Sequence, residues 1–174
     1  NNDTLKTQFY PAMNGIYTIG GSSPDFSTFS VAVTSLKNAG IIDSVYFKIR
    51  NGTYTEQIEI GNIKGANHKN SVIFESENKD STKVILQYNS ANYSKNYVVW
   101  MNGSYGTTLR KMTLQNNSSS YRTVVKISNS SRVIKLENNI LQNPDSTNSG
   151  TESALIHSEY NRGNSTEILN NVLN

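Results

Sequence analysis

Short apolar segments recur along the chain from residue 45 onward, at intervals of roughly 26 residues. The first series of these segments lies at 46–49, 73–76, 98–101, 124–127 and 155–158. A second series lies between them, at 58–60, 84–86, 112–114, 134–136 and 168–170. The intervening residues are rich in Asn, Gly, Ser and Asp, which are typical of tight turns. Because no helical pattern separates the two series, the pattern predicts the coils of a stacked β-solenoid.

A third short strand follows two members of the second series, at 140–143 and 172–174. Three strands per coil predict an all-β fold, a parallel β-helix of about five coils with a triangular cross-section. A leucine-rich solenoid is disfavoured, because it has one strand per repeat and a fixed leucine spacing that this chain lacks. Asparagine doublets follow several second-series strands, and stacking of the coils predicts a ladder of amides at one corner, formed by Asn117, Asn139 and Asn171.

Residues 1–44 have a different pattern. Phe29, Val33 and Leu36 recur at helical spacing, Asp25 or Ser27 is expected to cap the helix, and Gly40 is expected to end it. A helix ahead of a β-solenoid can cover the open core and unpaired strand of the first coil. We therefore divide the chain into a strand with a capping helix over 1–44 and β-helix coils over 45–174. No cap follows the last coil, so we expect further coils of the same chain, or a partner, at that end.

Alternation along the strands decides which side chains face outward. Aligning the first series places five residues in one outward column, with Tyr97 and Tyr105 at its margin. This predicted ridge consists of Lys48, Glu75, Trp100, Lys126 and His157. We interpret it as the candidate contact surface. The alternative is an ordinary solvated face on which Lys48 and Glu75 pair, which contributes about 0–1 kcal/mol.

The composition and charge of the chain argue against several classes of function. The net charge is +3 and the cationic residues form no dense run, so nucleic acid is not an expected partner. There is no cysteine, and no segment approaches the roughly 20 apolar residues of a membrane span. His68 and His157 are distant from one another and no carboxylate pair recurs across neighbouring coils, so we predict no metal site, cofactor or catalytic residue. The chain has ten tyrosines and one tryptophan, and rings and amides on a rigid β surface suit sugars, although aromatic residues also favour strands.

The residues from Asn14 to Ile58, including Gly52-Thr53-Tyr54-Thr55-Glu56, resemble the opening of secreted right-handed parallel β-helix proteins of the pectin-lyase-like superfamily. The version they most resemble occurs in Bacteroidetes-type bacteria, and the resemblance covers residues 14–174. It implies export, often through the type IX secretion system, and an extracellular or cell-surface location. The aspartates and arginine that carry pectin methylesterase chemistry have no match here, and neither has the calcium-binding cluster of pectate lyases.

These observations lead to one hypothesis with two alternatives. We expect a non-catalytic, structural or adhesive module of a larger protein that contacts an extracellular polysaccharide. One alternative is the N-terminal part of a polysaccharide-active enzyme whose catalytic residues lie downstream. The other is a cargo of the type IX machinery, which would then be a partner.

Overall fold

A computed structural model describes residues 10–144, 153–161 and 165–174. Strand β1 (Met13–Ile19) precedes the only α-helix of this part of the chain, α1 (Phe29–Ala39). Fourteen further strands then follow as successive coils of three, of which the last has two. In chain order they are β2 (Ile41–Ile49), β3 (Gly52–Thr55), β4 (Ile58–Ile60), β5 (Val72–Ser76), β6 (Val84–Tyr88), β7 (Val99–Asn102), β8 (Tyr105–Arg110), β9 (Thr113–Asn116), β10 (Val125–Ser128), β11 (Arg132–Glu137), β12 (Ile140–Gln142), β13 (Ile156–Ser158), β14 (Thr166–Leu169) and β15 (Val172–Leu173).

The strands form three parallel sheets that run along the solenoid. Sheet A has the order β1-β2-β5-β8-β11-β14, sheet B the order β3-β6-β9-β12-β15, and sheet C the order β4-β7-β10-β13. Each inner strand of a sheet pairs in parallel with the strands one coil before and after it, and each strand at the end of a sheet pairs in parallel with one neighbour. The chain is thus an all-β parallel β-helix of about five turns with one helix, as the repeat predicts.

The core is a column of inward-facing apolar side chains. Val45, Phe47 and Ile49 alternate along β2 and are fully buried. The Phe47 ring stacks on that of Phe74 in the next coil, with 4.7 Å between the ring centroids. Such stacking repeats the same packing in successive coils, which is how a solenoid builds a continuous core from short strands.

Helix α1 covers the first coil, as expected from its apolar face. It buries Phe29, Ala32, Val33 and Leu36 and packs against β1 and β4. Gly40 ends the helix, with its N–H donating to Leu36 O at 2.8 Å. The expected N-cap was wrong, because Thr28 caps the helix by accepting a hydrogen bond from Val31 N. Asp25 instead accepts hydrogen bonds from the backbone and hydroxyl of Thr18, which hold the pKa of Asp25 below its ordinary value.

Asparagine amides join coils at the corner between sheets A and B. Asn138 and Asn170 adopt left-handed backbone angles there, with φ of 54° and 53°, which asparagine tolerates better than most residues. The next residues, Asn139 and Asn171, donate from Nδ2 to the carbonyls of Leu109 and Leu136, each one coil back. Oδ1 of Asn171 also accepts from Asn139 N at 2.9 Å.

Asn117 does not belong to this ladder. It follows β9, at the corner between sheets B and C, where its Oδ1 accepts from Gln115 and its Nδ2 donates to Gln87 Oε1 at 3.3 Å. The register pairs Ile140 with Thr113, so the buried Met112 takes the place of Asn139 in that coil. The doublet at 116–117 therefore resembles the others in sequence only.

The residues of the predicted ridge do not lie in one row in the structure. Lys48 and Glu75 are neighbours in sheet A, whereas Trp100, Lys126 and His157 are neighbours in sheet C. The reason is that the coils differ in length. Register partners lie 27 residues apart for Lys48 and Glu75, but 35 apart for Glu75 and Arg110. A constant repeat length therefore moves the alignment from sheet A at Glu75 to sheet C at Trp100, within the second coil.

Candidate functional site

Four side chains form a row across the outer face of sheet C. The register places Glu59 of β4 beside Trp100 of β7, Trp100 beside Lys126 of β10, and Lys126 beside His157 of β13. On β4, β7 and β10 the flanking residues, such as Val99 and Met101, point inward and are buried. The row, here called the sheet C row, therefore lies on a rigid surface with neighbouring strands about 4.8 Å apart.

The indole of Trp100 is held in one orientation. Its Nε1 donates to Ser128 Oγ at 2.7 Å, and the ring of Tyr97 lies 5.3 Å from it between centroids. Lys126 Nζ lies 5.3 Å from the indole centroid, within the range of a cation–π contact. Tyr97 itself is only 7% exposed, and burial raises the pKa of its phenol. The buried Tyr97 ring thus packs against the indole, and Trp100 remains partly exposed.

The polar side chains of the sheet C row are hydrogen-bonded to neighbouring residues. Lys126 donates to a Glu159 carboxylate oxygen at 2.7 Å, and His157 Nε2 lies 3.4 Å from the other oxygen. The hydrogen bond from Lys126, with a further one from His157, holds the pKa of Glu159 below its ordinary value. At the other end, Glu59 Oε1 accepts from Asn102 Nδ2 at 2.6 Å. The row therefore presents a partly exposed aromatic ring between polar groups of fixed geometry.

A second cluster lies on the outer face of sheet A. The Glu75 carboxylate, with a side chain only 3% exposed, accepts hydrogen bonds from Lys48 and from Arg110 Nε, the latter at 2.7 Å. Burial alone would raise the pKa of Glu75, but the two cations outweigh it and lower that pKa. Both cations keep a quarter to a third of their side-chain surface exposed.

The candidate residues are thus distributed over two faces. Trp100, Tyr97, Lys126 and His157 come together on sheet C, while Lys48 and Glu75 lie on sheet A. Tyr105 begins β8 in sheet A, where the Arg132 guanidinium lies 4.4 Å from its ring centroid. It is therefore not at the margin of the sheet C row.

Sequence reasoning missed Arg110 and Glu159. Arg110 ends β8, a strand with only Leu109 as a buried aliphatic residue, so the apolar pattern does not reveal it. Glu159 follows β13 and reaches the row from the turn. In the part of the chain that the structure describes, no three His, Asp or Glu side chains are grouped so as to hold a metal ion. None of the described helices has the length and apolarity to span a membrane.

Comparison with known proteins supports the fold. No family model matches the sequence, and no curated protein matches it significantly. Among solved structures, the pectin methylesterase of the rice weevil is similar, with a TM-score of 0.68 and 15% identity over 89% of this chain and 49% of that protein. The pectin methylesterase from Aspergillus niger gives a TM-score of 0.47, with 15% identity over 79% of this chain and 55% of that protein. The chain spans about half the length of these enzymes. It has the parallel β-helix fold of the pectin-lyase-like type that pectin methylesterases share.

Proposed function

We propose that this chain is a non-catalytic β-helix module of a larger extracellular or cell-surface protein, and that it contacts polysaccharide through the sheet C row. The observation that carries the proposal is the fixed indole of Trp100, supported by Tyr97 and flanked by Lys126. A flat ring on a rigid strand offers a face to a sugar without a large loss of side-chain entropy on binding. Neighbouring polar groups can then bond the sugar hydroxyls.

The chemistry of the row favours contact over catalysis. Glycoside hydrolysis requires a carboxylic acid with a raised pKa to protonate the leaving group. Glu159 has the opposite perturbation, since Lys126 and His157 stabilise its charged form. Glu59 is engaged by Asn102. Glu159 is thus not prepared to act as a general acid.

The likeness to a pectin methylesterase over half its length favours one alternative, the N-terminal part of a polysaccharide-active enzyme. Under that alternative the reacting groups would belong to other parts of the protein. Export through the type IX system remains a proposal that rests on the sequence resemblance alone.

The experiment measures retention of the purified chain in native gels that contain soluble polysaccharides, both neutral and uronate-rich. The Trp100→Ala variant should bind at least about tenfold more weakly, which is typical of an aromatic anchor. Tyr10→Ala is the matched control, because Tyr10 is 40% exposed but precedes β1 and lies outside the sheet C row. Equal retention of the Trp100→Ala variant and the wild type would remove the proposed contact. Methanol release from pectin by this chain would contradict the proposal that it is non-catalytic.

A further inference from the structure

In the described part of the chain, the last coil presents three strand edges that have no neighbour. β14 is the outermost strand of sheet A, β15 of sheet B and β13 of sheet C. Each of them pairs with the preceding coil only. An exposed strand edge is a template for pairing with another chain. The end of the β-helix that these three strands form, here called the open end, is therefore a candidate interaction surface.

The open end also exposes apolar side chains of the core. Ile168 and Leu173 occupy inward positions, since their register partners one coil back are fully buried leucines. In the last coil the same positions are 47% and 55% exposed. Leu169 and Val172, which lie on either side of the turn between β14 and β15, are exposed as well. Contiguous exposed apolar residues of this kind mark protein interfaces.

The opposite end of the β-helix is already covered. Helix α1 packs over the core there. The outer edge of β1 is occupied by the segment before the helix, because Thr18 N donates to Asp25 Oδ2 at 2.7 Å and Thr18 O accepts from Phe26 N at 3.0 Å. A head-to-tail stack of copies would have to displace both coverings. The contact that remains joins two open ends, and a two-fold axis closes it into a dimer.

A two-fold axis at the centre of β14 satisfies the backbone of its outer edge. The carbonyls of Ser165 and Leu169 accept hydrogen bonds from the preceding coil, from Ile134 N and Asn138 N. Because backbone groups alternate in direction along a strand, the N–H and C=O of Ile168 point to the outer edge. When Ile168 lies opposite the same residue of a second copy in an antiparallel pair, the two residues exchange both hydrogen bonds.

The side chains fit this register as well. Residues directly opposite one another on antiparallel strands share a face, so the two Ile168 side chains meet in the core. Glu167 then lies opposite Leu169 of the second copy, and the two Glu167 carboxylates do not face each other, which would be destabilising. Glu167 keeps its ion pair with Lys135, at 2.9 Å. The same axis exchanges sheets B and C, so β13 of one copy meets β15 of the other.

We propose that two copies of this chain associate through their open ends, with the two β14 strands paired antiparallel around Ile168. The result is a closed dimer whose core and sheets continue from one copy into the other. The proposal does not rest on polysaccharide binding, since Trp100 lies in β7, two strands away from β13 in sheet C. The association of copies and the retention of the Trp100→Ala variant are separate measurements.

The first test is the mass of the whole chain in solution, measured by analytical ultracentrifugation at micromolar concentrations. The wild type should be a dimer. Ile168→Lys places a charge at the centre of the contact and should raise the dissociation constant at least about tenfold. Ile42→Lys is the matched control, because Ile42 is 63% exposed on β2, towards the covered end of sheet A. This control should dimerise as the wild type does.

Three outcomes of this measurement would overturn the proposal. A monomeric wild type would mean that something other than a second copy covers the open end. An Ile168→Lys variant that dimerises as tightly as the wild type would place the contact elsewhere, and so would loss of the dimer in Ile42→Lys. Circular dichroism establishes that each variant retains its β structure.

Single cysteines locate the axis without adding a charge, and the chain has no cysteine of its own. In the proposed register the two Cα atoms of residue 168 lie about 5.5 Å apart, so Ile168→Cys should form a disulfide-linked dimer on mild oxidation. Leu169→Cys is the matched control, because Ile168 and Leu169 are both 47% exposed. Its two Cα atoms are offset along the strands and lie more than about 7 Å apart, beyond the range of an unstrained disulfide. Cross-linking of Leu169→Cys as fast as that of Ile168→Cys would overturn the register.

Discussion

Asn139 and Asn171 are hydrogen-bonded across consecutive coils, with Asn139 N donating to Asn171 Oδ1 at 2.9 Å. Asn139 is 1% exposed, and its side chain also bonds Leu109 O and accepts from Met112 N. These amides satisfy backbone groups that the turn between sheets A and B would otherwise leave unpaired. A buried unpaired backbone group costs about 1–3 kcal/mol.

Replacing Asn139 should therefore destabilise the protein markedly. We expect Asn139→Ala to lower the free energy of unfolding by about 2–4 kcal/mol, because two buried backbone groups lose their partners. Asn117→Ala is the control, since among the described residues the Asn117 amide bonds only other side chains, and Asn117 is half-buried. It should cost less than about 1 kcal/mol in urea unfolding. Equal losses in the two variants would contradict the assignment of Asn139 to the ladder.

The Glu75 cluster predicts a dependence of stability on pH. The pKa of the Glu75 carboxyl is lowered from its ordinary value of 4.5 in the folded protein, so the folded state favours the charged form. The resulting stability is complete above the unfolded pKa and is lost as the pH falls through the folded one. Glu75→Gln lacks this contribution at every pH. The difference in unfolding free energy between wild type and Glu75→Gln should thus be largest near neutrality and should shrink below about pH 4.5.

Glu77→Gln is the matched control for that measurement. Glu77 is 43% exposed, and its nearest cation is Arg50 Nε at 3.9 Å. A surface pair of this kind contributes about 0–1 kcal/mol, so the variant should follow the wild type at each pH. A difference that stays constant between neutral and acidic pH for Glu75→Gln would show that its carboxylate is not stabilised in its charged form.

Ser27 and Thr28 are adjacent hydroxyl residues at the start of helix α1, and their contributions to stability can be compared directly. Thr28 Oγ1 accepts from Val31 N, and loss of such a cap costs about 1 kcal/mol. We expect Thr28→Ala to lower the unfolding free energy by that amount. Ser27→Ala should leave it within about 0.5 kcal/mol, since Ser27 is exposed and caps nothing. If Ser27→Ala were the more damaging change, the helix would begin elsewhere.

Much of the architecture follows from the sequence, because burial enforces a periodic pattern. The alternation of Val45, Phe47 and Ile49, and the helical spacing of Phe29, Val33 and Leu36, correspond to buried faces in the structure. The turns at Asn138 and Asn170 follow from the tolerance of asparagine for left-handed angles. In these elements a local preference and the final packing coincide.

The register between strands of successive coils could not be predicted from the sequence in the same way. Partners at the corner of sheets A and B lie 27 residues apart for Met112 and Asn139 but 32 apart for Asn139 and Asn171. Loops of unequal length between strands change the spacing without altering the apolar pattern. Nothing local to Glu75 indicates that its partner is Arg110 and that Trp100 belongs to another sheet. Candidate surfaces on a solenoid therefore depend on coil lengths that only the three-dimensional structure supplies.

The most direct test is to determine which residue lies beside Trp100. The register of the strands decides whether Trp100 belongs to the sheet C row or lies next to Glu75 in sheet A. The chain has no cysteine, so pairs of cysteines can be introduced without interference. In-register partners on adjacent parallel strands have Cα atoms about 5 Å apart, within the range of a disulfide. Trp100→Cys combined with Lys126→Cys should cross-link on mild oxidation of the folded protein, whereas Trp100→Cys combined with Glu75→Cys should not. Cross-linking of the second pair and not the first would contradict the separation of the sheet C row from the Glu75 cluster of sheet A.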